Sequence, residues 1–284
     1  MKLFVSPNLK LPNAADCTRR VMGRLLDCGM TPMMEQEAAA LLGIHGAVIG
    51  SVKKLLPACD MVIAIGGDGT IFHSAGDALQ YDKPILGINS GRLGFLSQIE
   101  AGDLLPLERL STGNYTVRNR MVLRAQVHND KGIQLYYAIN DVVLARAHFG
   151  RIIDLEVCCN EEPVGFYQAD GLIFATPTGS TAYSLSAGGP IVDPDLNAII
   201  MTPTCPHSLY NRSILFAPDK RLSIRPTLLD EDDHLFVSVD GRTLDCAGRV
   251  TSVIIDQSDY VSRFVCFDDR NFCQTLNQKL KLRG

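Results

Sequence analysis

The residues Met61–Ile65 are all apolar and run straight into Gly66-Gly67-Asp68-Gly69-Thr70. This junction restricts the fold more than any other stretch of the chain. A short apolar run bounded by a glycine pair reads as a buried strand. A strand apolar on both faces belongs to a parallel sheet with helices packed over both sides. The glycines let the backbone turn sharply at the strand's carboxyl end, and Thr70–Leu79 then reads as a helix. Ligands of such sheets bind beyond the carboxyl ends of the strands. A helix starting there aims its positive end and its unbonded N–H groups at the same space, which suits a phosphate. The carboxylate of Asp68 would repel that anion. It makes sense as a group that orients or deprotonates a hydroxyl attacking phosphorus, as a magnesium ligand, or as a plain helix cap.

The flanking sequence keeps the same rhythm. Lys2–Ser6 and Pro84–Ile88 read as strands, and Ala14–Cys28 reads as a helix with Val21, Leu25, Leu26 and Cys28 on one side. Asn89–Gly94 is a second loop at a strand's carboxyl end. Near Gly113 the pattern changes to alternation. Tyr115–His128, Leu135–Leu144, Ile152–Cys158, Leu172–Ala175, Ile214–Phe216, Arg221–Ile224, Leu235–Val239 and Val250–Ile255 read as strands with little helix between them, and Asp240-Gly241 is a hairpin signal. The expected architecture is an α/β N-terminal domain with a parallel sheet, residues 1–114, followed by a mainly β nucleotide-binding domain, residues 115–269. Asn271–Leu280 reads as helical again.

Composition narrows the partners. With 284 residues, a hydrophobic content of 46% and a charged content of 20%, the chain can bury substantial cores. A net charge of −4 argues against nucleic acid or an anionic membrane as the main partner. Any phosphate site must therefore be built locally, from backbone N–H groups, a metal ion and a few cations. No apolar stretch is long enough for a membrane span, and the N-terminus does not read as a signal peptide. The nine cysteines form no paired framework, as expected of thiols in a reducing cytoplasm. The histidines and cysteines are not at zinc-ligand spacing.

Three further stretches carry chemistry. Asp170–Pro190 contains Thr176-Pro177-Thr178-Gly179-Ser180-Thr181-Ala182-Tyr183-Ser184-Leu185-Ser186 and then Gly188-Gly189-Pro190, with no charge between Asp170 and Pro190. Small residues at that density allow close approach to a flat ring, and hydroxyl and backbone groups can bond its nitrogens and a ribose. Asn140-Asp141 sits inside a strand-like run, where a buried acid must face a ligand or a hydrogen-bond network. Gly87-Ile88-Asn89-Ser90-Gly91-Arg92-Leu93-Gly94-Phe95-Leu96 places glycines at a tight crossing.

Together these motifs resemble those of the NAD kinase family, from the first strand to about residue 242. The glycine-rich turn alone also resembles those of diacylglycerol and sphingosine kinases, which share the two-domain plan, and, more loosely, those of phosphofructokinases. The resemblance implies phosphorylation of the 2′-hydroxyl of the adenosine ribose of NAD, with ATP as donor and a divalent ion, most simply Mg2+. It assigns Asp68 as the catalytic base and Gly66, Gly67 and Gly69 to the phosphates. Asn140, Asp141, Thr181, Ala182, Tyr183 and Ser186 fall to the adenosine and Ser184 and Leu185 to the nucleotide more generally, with Asp170 and His207 toward nicotinamide. Arg151 is placed near the nucleotide. His73 and Gln168 stand where relatives often carry Arg, and Arg242 where Gln is usual. The family also implies a C-terminal helix, about 270–284, packed back on the first domain, and a homodimer or homotetramer. The rival readings are a lipid kinase on the same fold and a non-catalytic NAD(P) sensor.

Overall fold

The computed structural model describes residues 1–91, 94–146, 152–207, 211–227, 235–245, 249–267 and 272–281. Its contacts divide the chain into two compact units, Met1–Asn119 with everything from Ser262 onward, and Arg120–Val261.

In the first unit strands and helices alternate: β1 (Lys2–Pro7), α1 (Ala14–Asp27), β2 (Thr31–Glu35), α2 (Gln36–Leu42), β3 (Val48–Gly50), α3 (Val52–Ala58), β4 (Met61–Gly66), α4 (Asp68–Leu79), β5 (Ile85–Asn89), β6 (Ser97–Glu100) and α5 (Glu108–Ser111). The strands lie in the order β5-β4-β1-β2-β3, all parallel, with β6 parallel to β5. Every residue of β4 and β5 is buried, the signature of a sheet covered on both faces. Cys17, Val21 and Leu25, four apart, turn one stripe of α1 onto Leu3 and Val5 of β1 and Ile63 of β4. The carboxyl ends of β4 and β5 thus stand side by side, with Gly66 paired to Asn89.

The second unit is a sandwich of antiparallel strands: β7 (Thr116–Asn129), β8 (Gly132–Ala138), β9 (Asp141–Arg146), β10 (Ile153–Cys159), β11 (Glu162–Ala169), β12 (Gly171–Ala175), the short helix α6 (Tyr183–Ser186), β13 (Ile199–Thr204), β14 (Ile214–Phe216), β15 (Leu222–Pro226), β16 (Leu235–Val239), β17 (Arg242–Thr243) and β18 (Val250–Cys266). One sheet runs β11-β10-β15-β18, with β7 beside β18 and β8 beside β7, and the other runs β14-β13-β12-β9-β16-β17. Leu123, Ala125 and Val127 of β7, Leu155 and Val157 of β10, Val142 and Leu144 of β9, Phe174 of β12 and Val237 of β16 form its core. Because side chains alternate along a strand, Asp141, Val143 and Ala145 of β9 and Phe236 and Ser238 of β16 must face the other way. The chain then returns to the first unit. Phe264 pairs with Ile85 of β5, and α7 (Phe272–Lys281) brings the Phe272 ring to 6.3 Å from that of Phe95.

The structure corrects two sequence expectations. Leu135–Leu144 is two strands in different sheets, broken at Ile139-Asn140, because the amides of residues 139–141 bond a side chain instead of a neighbouring strand. Val250–Ile255 continues as one strand to Cys266. Among the described residues no helix is long and apolar enough to cross a membrane.

Candidate active site

In the first unit the Asp68 turn is built as the sequence demands. A Cβ on Gly66 would lie 2.4 Å from Thr70 Oγ1, so only glycine lets β4 pass directly into α4. Gly67, not Asp68, is the N-cap, and Asp68 is the first residue of the helix. Its carboxylate is turned away from its own helix and accepts the backbone N–H groups of Phe95 at 2.9 Å and Leu96 at 3.1 Å, beyond the end of β5. The cap reading of Asp68 is thereby removed. Gly94 makes room for it: a Cβ there would stand 2.2 Å from Asp68 Oδ1. Asn8 Nδ2 donates to Thr70 Oγ1 at 3.1 Å, tying the end of β1 to the same turn. Sequence reasoning passed over Ser90 and Ser97, whose buried hydroxyls have no partner among the described residues. His73 lies on the exposed side of α4 with its Nδ1 3.4 Å from Asp77.

In the second unit Asn140-Asp141 is clamped from two sides. The carboxylate of Asp240 accepts the N–H groups of Ile139 at 2.9 Å, Asn140 at 2.7 Å and Asp141 at 3.1 Å. On the other side Thr176 donates its hydroxyl to the Ile139 carbonyl at 2.6 Å and its N–H to the Asn140 carbonyl at 2.9 Å. Asp240 reaches its place from a two-residue hairpin between β16 and β17, where Asp240 has φ 49° and Gly241 φ 74°. Two positive φ angles are what such a turn needs, and Asp-Gly supplies them. The loop after β12 closes on the clamp through Gly179, whose N–H donates to Thr176 Oγ1 at 3.0 Å.

These elements enclose a cleft of about 450 Å³, in the size range of small-molecule sites, lined by Asn140, Asp141, Ala182, Tyr183, Ser238 and Asp240 among others. Tyr183 presents a half-exposed ring, and Oδ1 of Asn140 is buried with no partner among the described residues. Burial, reinforced by the neighbouring Asp240, pushes the Asp141 carboxyl up to about 7. Burial raises Asp240 too, against the pull of its three amide donors and of Arg242. Arg242 itself is exposed on β17.

The remaining candidates fall into two groups. Thr181 closes a tight 3-10 turn over Thr178–Thr181, and Leu185 and Ser186 continue on α6. Ser184 is fully buried, with its hydroxyl 3.0 Å from that of Thr202, so it serves the interior of the fold. Gln168, Asp170 and His207 gather where β11, β12 and β13 end. His207 N–H donates to the Gln168 carbonyl at 2.8 Å, and Asp170 N–H to Thr204 at 3.0 Å. Sequence reasoning missed Arg146 there, whose guanidinium lies 3.1 Å from the Asp170 carboxylate. Arg151, Arg92 and Leu93 lie outside the described residues.

Residues 4–112 match the model of the ATP-NAD kinase N-terminal domain, and residues 139–266 that of the ATP-NAD kinase C-terminal domain. An NAD kinase of Caldanaerobacter subterraneus subsp. tengcongensis is 39% identical over 286 residues, covering 99% of each chain. One from Heliobacterium modesticaldum is 40% identical over 233 residues, 81% of each. Among solved structures, yeast NADH kinase complexed with NADH superposes with a TM-score of 0.90 at 23% identity, covering 99% of this chain and 87% of that one. An NAD kinase from Archaeoglobus fulgidus in complex with ATP gives 0.75 at 21% identity, over 99% of each. At those identities the two structures speak for the fold.

Proposed function

The chain belongs to the ATP-NAD kinase family, and from that premise we propose that it transfers the terminal phosphoryl group of ATP to the 2′-hydroxyl of the adenosine ribose of NAD, giving NADP. The observation that carries this reading is the setting of Asp68. It is an acid at a glycine turn and helix start suited to phosphates, held by two loop amides and excluded from capping its own helix. Placed there it accepts the proton of the attacking hydroxyl as the O–P bond forms, while the donor's bridging oxygen leaves with the diphosphate. Gly66, Gly67 and Gly69 leave the backbone open to phosphate oxygens.

Asn140, Asp141, Thr181, Ala182, Tyr183, Leu185 and Ser186 take the nucleoside. The cleft volume and the Tyr183 ring support that role. Asp170 with His207 and Gln168 is assigned to the nicotinamide half, and Arg151 and Arg242 to the nucleotide's polar periphery. Among the described residues no three acidic, histidine or cysteine side chains gather into a metal cage. A magnesium ion accompanying the donor phosphates would find in Asp68 a carboxylate at the phosphate-type turn able to hold it. The chemistry such an ion would supply is neutralisation of phosphate charge.

Large apolar residues exposed on edge strands, Phe166 of β11 and Ile133 and Leu135 of β8, support assembly into a homodimer or homotetramer. The exposed Cys205 and Cys273 fit a reducing compartment, the cytoplasm. Incubation of purified protein with ATP, magnesium and either NAD, 2′-deoxy-NAD or diacylglycerol tests the assignment. NADP from NAD alone supports it, and phosphate on the lipid without NADP overturns it. Binding of NAD without any turnover would instead make the protein a sensor.

A further inference from the structure

The cleft holds two carboxyl groups with opposite hydrogen-bonding surroundings. The Asp240 carboxylate takes three successive backbone N–H groups, from Ile139, Asn140 and Asp141. Three donors converging on one carboxyl favour its ionised form and oppose the burial that raises it. Asp141 is 5% exposed and lines the cleft, and its carboxyl group receives no hydrogen bond from any described residue. Resting on the nucleotide-binding reading of this cleft, we propose that Asp141 meets the nucleoside as a protonated acid that donates its O–H to a ligand acceptor, while Asp240 carries the single negative charge and positions residues 139–141.

The physical reason is competition between two buried acids. Two neighbouring carboxyl groups in a poorly solvated place do not both ionise, and the charge settles on the one that is better solvated by donors. Here the donors are all on Asp240. The groups that face Asp141 do not reverse this. Its partner on β12 is Ala175, which is apolar. From the β16–β17 hairpin come Asp240, whose N–H also donates to the Asp141 carbonyl at 2.9 Å, and Arg242, which acts on Asp240. From α6 comes Tyr183, which lines the same cleft. Among the described residues Asp240 is the charge that acts on Asp141, and together with burial it moves the carboxyl to about 7. An uncharged donor in the cleft suits the acceptor atoms of a ribose, a base or a carboxamide. It also avoids placing a second negative charge beside an anionic dinucleotide.

The test is calorimetric binding of NAD, without ATP, to the whole protein between pH 5.5 and 8.5 in buffers of different ionisation enthalpy. The expected result is an affinity that is level at the acid end and weakens by about tenfold per pH unit once the pH exceeds about 7.5, with proton uptake approaching one per NAD there. Asp141→Asn, which keeps an N–H donor but cannot ionise, flattens the profile. Asp240→Asn, which removes the neighbouring charge, moves the midpoint downward. Should either variant fail to fold, the wild-type profile still decides, together with a protonated-carboxyl band in the infrared spectrum of the NAD complex at pH 7. An affinity that is constant across the range, or that rises with pH, would overturn the inference. So would persistence of the wild-type profile in Asp141→Asn. Absence of NAD binding at every pH would instead refute the nucleotide reading on which it rests.

Discussion

A Cβ atom at Gly179 would lie 2.1 Å from the carbonyl oxygen of Asn140. The loop after β12 and the break between β8 and β9 are therefore in backbone contact, and the cleft exists because they are. Gly179→Ala forces them apart. The expected cost is about 1–3 kcal/mol of stability, as for other overpacked sites, with at least about a tenfold rise in KM for NAD. Urea unfolding and initial-rate kinetics measure both, and an unchanged KM would contradict the account of the cleft.

Gly94 tests the other unit. Its Cβ would stand 2.2 Å from Asp68 Oδ1, so Gly94→Ala pushes the carboxylate off the Phe95 and Leu96 amides. A displacement of that order costs about a hundredfold in turnover when the group is catalytic. NAD affinity, measured separately by calorimetry, should change little. Equal losses in both would mean that the substitution damages the fold more broadly.

The raised Asp141 carboxyl makes stability depend on pH. In the unfolded chain this group ionises near its ordinary value of 3.8, while in the folded protein it holds its proton to about 7. Below both values neither state is penalised. Between them the unfolded state releases a proton that the folded state keeps, so stability falls as pH rises and levels off above about 7. Against Asp141→Asn, wild type should lose on the order of a few kcal/mol more stability between the acid and neutral ends of that window. Parallel denaturation profiles would contradict it.

Arg124 and Asp256 form a two-pronged ion pair, with Nε and Nη2 each 2.8 Å from a carboxylate oxygen, and Asp256 raises the arginine's pKa. The pair joins β7 to β18 away from the cleft. Asp256→Ala should cost about 1–3 kcal/mol in thermal or urea unfolding, while leaving KM for NAD unaltered. A change in KM would place the pair closer to the chemistry than its position on these strands suggests.

Much of this was legible in the sequence. Met61–Gly66 and the turn at Asp68 follow from local apolarity and glycine content, and Asp240-Gly241 announces its hairpin by residue type alone. The role of the Asp240 side chain was not legible. It bonds Ile139 across 101 residues, and only the pairing of β9 with β16 puts the two together. The same bond hides the strand break at Ile139-Asn140, since Leu135–Leu144 has strand-forming residues on both sides of it. Ser184 misleads in the opposite direction. Lying within a hydroxyl-rich motif it reads as a ligand group, whereas its hydroxyl is bonded to Thr202 in the interior. Arg146, paired with Asp170, carried no motif at all.

The central claim is that Asp68 is the base of an NAD kinase, and Asp68→Asn tests it most directly. The amide keeps the shape and one acceptor for the Phe95 and Leu96 N–H groups but cannot take a proton. With NAD, ATP and magnesium at saturation, NADP formation should fall by at least about a hundredfold, with NAD affinity held within about tenfold. Turnover near that of the wild type would contradict the account.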